Sequence, residues 1–164
     1  MITPSNELEK FTQEINELIE HDRQLIARSV NVAMSHLYWK VGNKINLIIL
    51  KNERGAYGKG IVVSLARQLV RQYGTSFSEK NLRRMMQFAM LYQDEEIVVS
   101  VIRQLSWTHI LVILPIKESL KREFYTQLCI HENWSVRTFR ERIKSMFMSV
   151  PRSAESRKKL LVRN

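Results

Sequence analysis

Several residue types that mark particular protein classes are scarce in this sequence of 164 residues, which has one cysteine, three prolines and five glycines. The single Cys129 cannot form an internal disulfide, and so little glycine and proline excludes collagen-like chains and disulfide scaffolds. The N-terminus lacks the charged start and apolar segment of a secretory signal. We therefore expect a reducing, cytoplasmic location.

Long apolar runs are also missing. Runs such as residues 110–115 fall well short of the roughly 18 to 20 apolar residues that a membrane span needs. We therefore expect no membrane partner. Apolar side chains still make up 45% of the chain, which is enough for a hydrophobic core and argues against wholesale disorder.

Acidic residues are outnumbered, because 26 Lys and Arg face 16 Asp and Glu and leave a formal net charge of +10. Two segments carry the excess: residues 51–93 hold eight basic and two acidic side chains, and residues 133–164 hold nine and two. A strongly basic small chain favours an anionic partner, with nucleic acid first and an anionic membrane surface second. The membrane surface is disfavoured because the polar spacing of the C-terminal tail leaves no apolar face to insert. The alternative is that these side chains form only a solvated, solubilising surface.

Apolar residues at three- and four-residue steps predict helices almost throughout, and hence an all-α, multi-helix fold. We predict one helix from Pro4 to about His21 and a longer one from about Arg23 to Leu50. Further helices are predicted over residues 61–73, 79–92, 107–114, 118–132 and 136–148, with a short strand as an alternative near 110–116. The apolar stripes of the first two helices comprise Leu8, Phe11, Ile15, Leu18 and Ile19, then Ile26, Val30, Ala33, Leu37, Val41, Ile45 and Ile48.

Three of the five glycines fall within residues 52–60, which predicts a loop. A Walker A loop needs Gly, four residues, then Gly-Lys-Ser/Thr, but here Glu53 stands five residues before Gly58 and Gly60 follows Lys59. A helix-to-helix turn is therefore favoured over a nucleotide loop. We expect one helical domain over residues 1–148, followed by a basic, flexible tail over 149–164.

Residues 60–92 have the proportions of a helix-turn-helix, with Gly74 in the turn. On a helical wheel of its second helix, the predicted core side consists of Leu82, Met85, Met86 and Ala89. The predicted outward strip consists of Lys80, Arg84 and Gln87, flanked by Asn81 and Arg83.

This polar composition is typical of a helix that contacts DNA. Arg and Gln can pair with purine edges, and Lys can contact phosphates. The last helix repeats the pattern with a basic flank. The candidate DNA-binding residues are therefore Lys59, Arg67, Arg71, Lys80, Asn81, Arg83, Arg84, Gln87, Arg137, Arg140 and Lys144. The alternative is an exposed cationic face of an ordinary helical bundle.

Residues that could support catalysis are scattered. The four histidines show no paired-ligand spacing, and one cysteine cannot supply a zinc finger, so no catalytic residue, metal site or cofactor is predicted. Structural roles are expected for His36, His109 and Cys129. No Asp or Glu stands two residues before a Lys, so the carboxylate-x-lysine half of a common metal-dependent nuclease site is absent.

Several strings of the sequence carry a family resemblance. They are YWKVG at 38–42, YGK at 57–59, FSEKNLRRM at 77–85, LSWTH at 105–109 and NWSVR at 133–137. Their order and spacing over about residues 20–148 resemble the N-terminal domain of the YhcG family. Proteins of that family join this helical domain to a C-terminal nuclease domain of the PD-(D/E)xK type, so the resemblance implies a DNA-associated role in bacteria.

The sequence ends at Asn164, where the family would continue into the nuclease domain, so no enzymatic activity is expected of it. Our leading hypothesis is a non-catalytic DNA-binding module. The alternative hypothesis is a protein-interaction or dimerisation module, whose long N-terminal helices pair with a second copy or with a separate nuclease subunit.

Overall fold

The computed structural model describes the chain over residues 4–51 and 55–148. No strand occurs among these residues, which confirms the all-α prediction and makes the strand alternative for 110–116 wrong. The helices are α1 (Pro4–Lys51), α2 (Gly55–Tyr73), α3 (Glu79–Leu91), α4 (Glu95–Gln104), α5 (Trp107–Ile113), α6 (Ser119–His131) and α7 (Val136–Met148), with a 3₁₀ turn at Thr75–Phe77. The predicted tail over 149–164 lies outside the described residues.

The N-terminal part of the chain is one helix of 48 residues rather than the two that were predicted. The expected break between His21 and Arg23 does not exist. No glycine or proline occurs there, so every residue can keep both its helical backbone conformation and its hydrogen-bonding N–H group.

The glycine-rich segment is helical over Gly55–Gly60, so the predicted loop is wrong for that part, and residues 52–54 lie outside the described ones. Gly58 is buried, and a Cβ atom there would lie 3.0 Å from the Ile49 side chain. Glycine at this position therefore lets α2 pack closely against the end of α1.

Contacts group the chain into two compact units, Met1–Trp107 and Thr108–Asn164. In the first unit, α1 packs against α2, α3 and α4, and α2 packs against α3. The buried centre of this packing consists of Tyr38, Ile45, Val62, Ala66, Leu82 and Met85. In the second unit the buried apolar side chains are Ile110, Ile113, Leu114, Ile116, Tyr125, Cys129, Phe139 and Ile143.

The face of α1 that enters the core is not the apolar stripe predicted from the sequence. Most of that stripe is exposed, with Ile45 buried and Val41 half-buried. The buried positions of α1 are Ser35, Tyr38, Trp39, Gly42 and Ile45. Aromatic rings contribute a large buried area to this face, and glycine and serine let the neighbouring helix approach α1 closely.

Two side chains of α1 reach the backbone of α3 and its C-terminal cap. The Trp39 indole Nε1 donates to the carbonyl of Tyr92 at 2.7 Å, and the Asn46 amide Nδ2 donates to the carbonyl of Met86 at 2.9 Å. Gly42 lies between these positions on α1 and is buried against the backbone at Met85. The back of α3 is therefore fixed to α1, which leaves its other face outward.

Candidate nucleic-acid interface

The turn before α3 follows the sequence prediction. The N–H of Gly74 closes α2 on the carbonyl of Val70 at 3.0 Å, and Gly74 has φ 87° and ψ −176°, a conformation essentially restricted to glycine. Ser78 stands at the N-cap of α3, but its side chain makes no capping hydrogen bond. A helix, a tight turn and a second helix thus follow one another here, and α2 packs against α3.

The two faces of α3 differ sharply in burial. Its buried side chains are Leu82, Met85, Phe88 and Ala89, and Met86 is half-buried. The polar side chains that are exposed are Lys80, Arg83 and Gln87. We call these three residues the α3 strip.

The exposure of Arg83 and Arg84 is the reverse of what the helical wheel predicts. Arg84 is half-buried and donates to the Asn81 Oδ1 atom at 3.3 Å, whereas Arg83 is exposed. The reason is Phe88, which is fully buried and extends the core side of α3 towards Arg84. Contact of Asn81 and Arg84 with DNA stays a prediction.

Arg83 is held by an acidic residue on the same helix. Its Nε and Nη2 atoms lie 2.9 and 2.7 Å from one carboxylate oxygen of Glu79, four residues earlier. Glu79 was not among the predicted site residues, although an acidic and a basic residue four apart on a helix is a signal that the sequence contains. The pair partly neutralises the α3 strip.

Two basic residues of α2 lie on the side of that helix away from its core. Arg67 and Arg71 are exposed and stand one helical turn apart, while Val62 and Ala66 are buried. Lys59 belongs to α2, but its side chain lies outside the described ones.

The basic flank of α7 belongs to the second unit. Arg137, Arg140 and Lys144 are exposed, and Phe139 and Ile143 are buried on the core side of the helix. The start of α7 is capped by Ser135, which accepts from the N–H of Thr138 at 3.1 Å. Of the predicted residues, the structure thus places eight in the first unit and three in the second.

Two further basic side chains of the second unit have structural partners. The guanidinium of Arg142 lies 5.6 Å from the ring centroid of Trp134, and the Arg137 Nε donates to Glu141 at 3.2 Å. Arg142 was not a predicted site residue, and no local sequence pattern distinguishes its aromatic contact. The Glu141 carboxylate therefore offsets part of the positive charge of α7, whereas Arg142 keeps its charge over the Trp134 ring.

The residues that the sequence singled out for structural roles have such contacts. The His36 Nε2 lies 2.7 Å from Glu95 and its ring stacks on Trp39, while the His109 Nε2 lies 3.0 Å from the carbonyl of Trp134. Burial raises the pKa of the Cys129 thiol to about 11, so the thiol stays protonated at neutral pH. Among the described residues, no group of His, Cys, Asp and Glu could hold a metal ion.

An all-α, multi-helix fold with an exposed basic strip on α3 is the class that the fold and the site define. Within that class, the chain belongs to the family described as the DUF1016 N-terminal domain, which matches residues 14–149. It is 26% identical over 163 residues to the Escherichia coli (strain K12) protein named "Putative nuclease YhcG".

That alignment covers 81% of this chain and 44% of the relative, so the chain spans less than half of the relative's length. No solved structure matches the chain. Over the described part of the chain, no single helix is long and apolar enough to cross a membrane, although α4 and α5 taken together reach that length and composition.

Proposed function

We propose that this chain is a non-catalytic DNA-binding module of a nuclease system of the YhcG type. The observation that carries the proposal is the α3 strip: Lys80, Arg83 and Gln87 are exposed on a helix whose opposite face is buried. The strip follows a tight turn, as the recognition helix does in helix-turn-helix proteins. The relative's printed name, which describes a nuclease, supports the choice of DNA as the anionic partner.

Side-chain chemistry assigns each residue of the α3 strip a different kind of DNA contact. Gln87 can pair with the edge of adenine, and Arg83 with the edge of guanine. Lys80, in the first turn of α3, suits a phosphate contact. Arg67 and Arg71, exposed on α2, would add phosphate contacts that position the domain without reading sequence.

The direct test is a salt titration of duplex binding by the unmodified chain. We expect the affinity to fall on the order of 100-fold between 50 and 200 mM monovalent salt, because several phosphate contacts each release counterions. Fluorescence anisotropy with a labelled duplex of about 20 base pairs, with a single strand of equal length beside it, measures this. Absence of duplex binding at 50 mM salt would contradict the proposal.

A second expectation concerns the Glu79–Arg83 pair. We expect Glu79→Gln to tighten duplex binding about threefold, since it frees Arg83 and removes a negative charge beside the phosphates. The matched control is Glu141→Gln, which frees Arg137 on α7 in the same way. Tighter duplex binding by Glu141→Gln alone would assign the DNA interface to α7 instead of α3.

The second candidate function is a protein-interaction module. It is favoured by a different observation, the exposure of every residue from 6 to 30 of α1, including a series of large apolar side chains. The two functions are compatible, because they use different surfaces of the first unit.

A further inference from the structure

The N-terminal half of α1 has no partner among the described residues. All side chains from residue 6 to residue 30 are exposed, whereas buried positions on α1 begin at Ser35. Helices in proteins take most of their stability from packing of an apolar face. A helical segment of this length that carries an apolar face is therefore a docking surface.

The apolar side chains of this segment follow a heptad pattern. The first and fourth heptad positions, a and d, hold Leu8, Phe11, Ile15, Leu18 and Leu25, with Asp22 as the exception between them. The neighbouring e position adds Ile19 and Ile26. These seven side chains are 39–65% exposed. Such a stripe is typical of a helix that pairs with another helix along its length.

We propose that a second copy of this chain covers this face, with residues 7–28 of the two copies paired in antiparallel orientation. The inference is independent of DNA binding, because it uses neither α3 nor α7. The paired segment of 22 residues spans three heptads, the length from which a sustained heptad pattern indicates a coiled coil. In this alignment Leu8 packs against Leu25 of the second copy, and Ile15 packs against Leu18 of the second copy.

The charges that flank the stripe select the antiparallel orientation. The g positions are Glu7, Glu14, His21 and Arg28, so the acidic residues come first and the basic ones last. Antiparallel pairing brings g positions of the two helices together and places Glu7 beside Arg28 of the second copy, on both ends of the paired region. Parallel pairing forms no such contact.

Asp22 supports the same orientation. In a parallel, in-register pair the two Asp22 carboxylates would meet in the apolar interface, where like charges repel strongly. In the antiparallel pair Asp22 lies level with Phe11 of the second copy, and the two carboxylates are about 16 Å apart along the axis. That separation is about twice the Debye length at physiological salt, so their repulsion is largely screened.

The first experiment measures the oligomeric state of the 164-residue chain by sedimentation velocity between about 1 and 100 µM. We expect a dimer, and we expect Ile15→Glu with Leu18→Glu to weaken it at least 30-fold. The matched control is Ala27→Glu, which adds a charge at an exposed position off the stripe and leaves the dimer within twofold of the unmodified chain. A monomer at 100 µM, or a double variant that still dimerises, would overturn the proposal.

The second experiment tests the orientation. We expect Glu7→Arg and Arg28→Glu each to weaken the dimer about three- to tenfold, and the two changes combined in one chain to restore it, because each end then carries the swapped pair. Circular dichroism on each variant checks that α1 remains helical. If the combined variant dimerises more weakly than both single variants, antiparallel pairing is wrong. A parallel dimer, shown by homotypic cross-linking of Glu7→Cys chains, would overturn it as well.

Discussion

Gly42→Ala is expected to destabilise the first unit by about 3–5 kcal/mol and to lower its Tm by roughly 12–20 °C. A Cβ atom at position 42 would overlap the carbonyl group of Met85 and lie 2.7 Å from the backbone nitrogen of Met86. Both contacts are with backbone of α3, which cannot move aside as a flexible side chain could. Thermal unfolding followed by circular dichroism measures the shift.

The matched control for this change is Gly60→Ala. Gly60 also lies within a helix, but a Cβ atom there has open space around it. Replacement by alanine should leave the domain as stable as before or stabilise it by about 0.5–1 kcal/mol, since alanine is the better helix former. An unchanged Tm for Gly42→Ala would show that α1 and α3 are not packed as closely as the structure has them.

The local elements of this fold could be predicted because their signals are local. The turn at Gly74 lies where the sequence placed it, and α3 and α7 begin at the predicted residues. The start of α4 was not predicted: the Asp94 carboxylate accepts from the N–H of Glu96 at 2.8 Å and caps this helix.

The core face of α1 could not be predicted in the same way. Hydrophobic periodicity selects the side of a helix with the most apolar residues, and on α1 that side is largely exposed. The side that packs carries Trp39 and Asn46, whose suitability depends on carbonyl groups of α3 and its C-terminal cap. Those acceptors come from a different part of the sequence, so the pattern within α1 gives no signal for them.

The predicted site shows the same limit on a smaller scale. The wheel identified a basic outward strip on α3, but it exchanged Arg83 and Arg84 because it left Phe88 out of the core side. Phe88 contacts the rings of Tyr92 and Trp107, and these contacts appear only in the folded unit. The composition of the surface was therefore predictable, whereas the direction of individual side chains was not.

These placements determine how the proposed interface is best tested. We expect the double variant Lys80→Ala, Arg83→Ala to bind duplex about 10- to 100-fold more weakly at 100 mM salt. Its salt slope should be shallower by about 1, since Lys80 supplies one phosphate contact, which removes about 0.9 when it is lost, and Arg83 contacts a base edge. The matched control is Lys40→Ala, Lys44→Ala, which removes the same charge from exposed positions of α1 in the same unit.

Three outcomes of this comparison distinguish the possible roles of the basic surface in duplex binding. A loss of duplex affinity for the Lys80, Arg83 double variant alone assigns binding to the α3 strip. An equal loss of affinity for both double variants means that the interaction is a general electrostatic attraction. No loss of affinity for either variant means that α3 is not part of the interface. The variant Gln87→Ala tests whether the α3 strip distinguishes base sequences. We expect it to leave the salt slope unchanged, because Gln87 carries no charge. It should also narrow the difference in affinity between duplexes of different sequence, because Gln87 can distinguish bases only by hydrogen bonds.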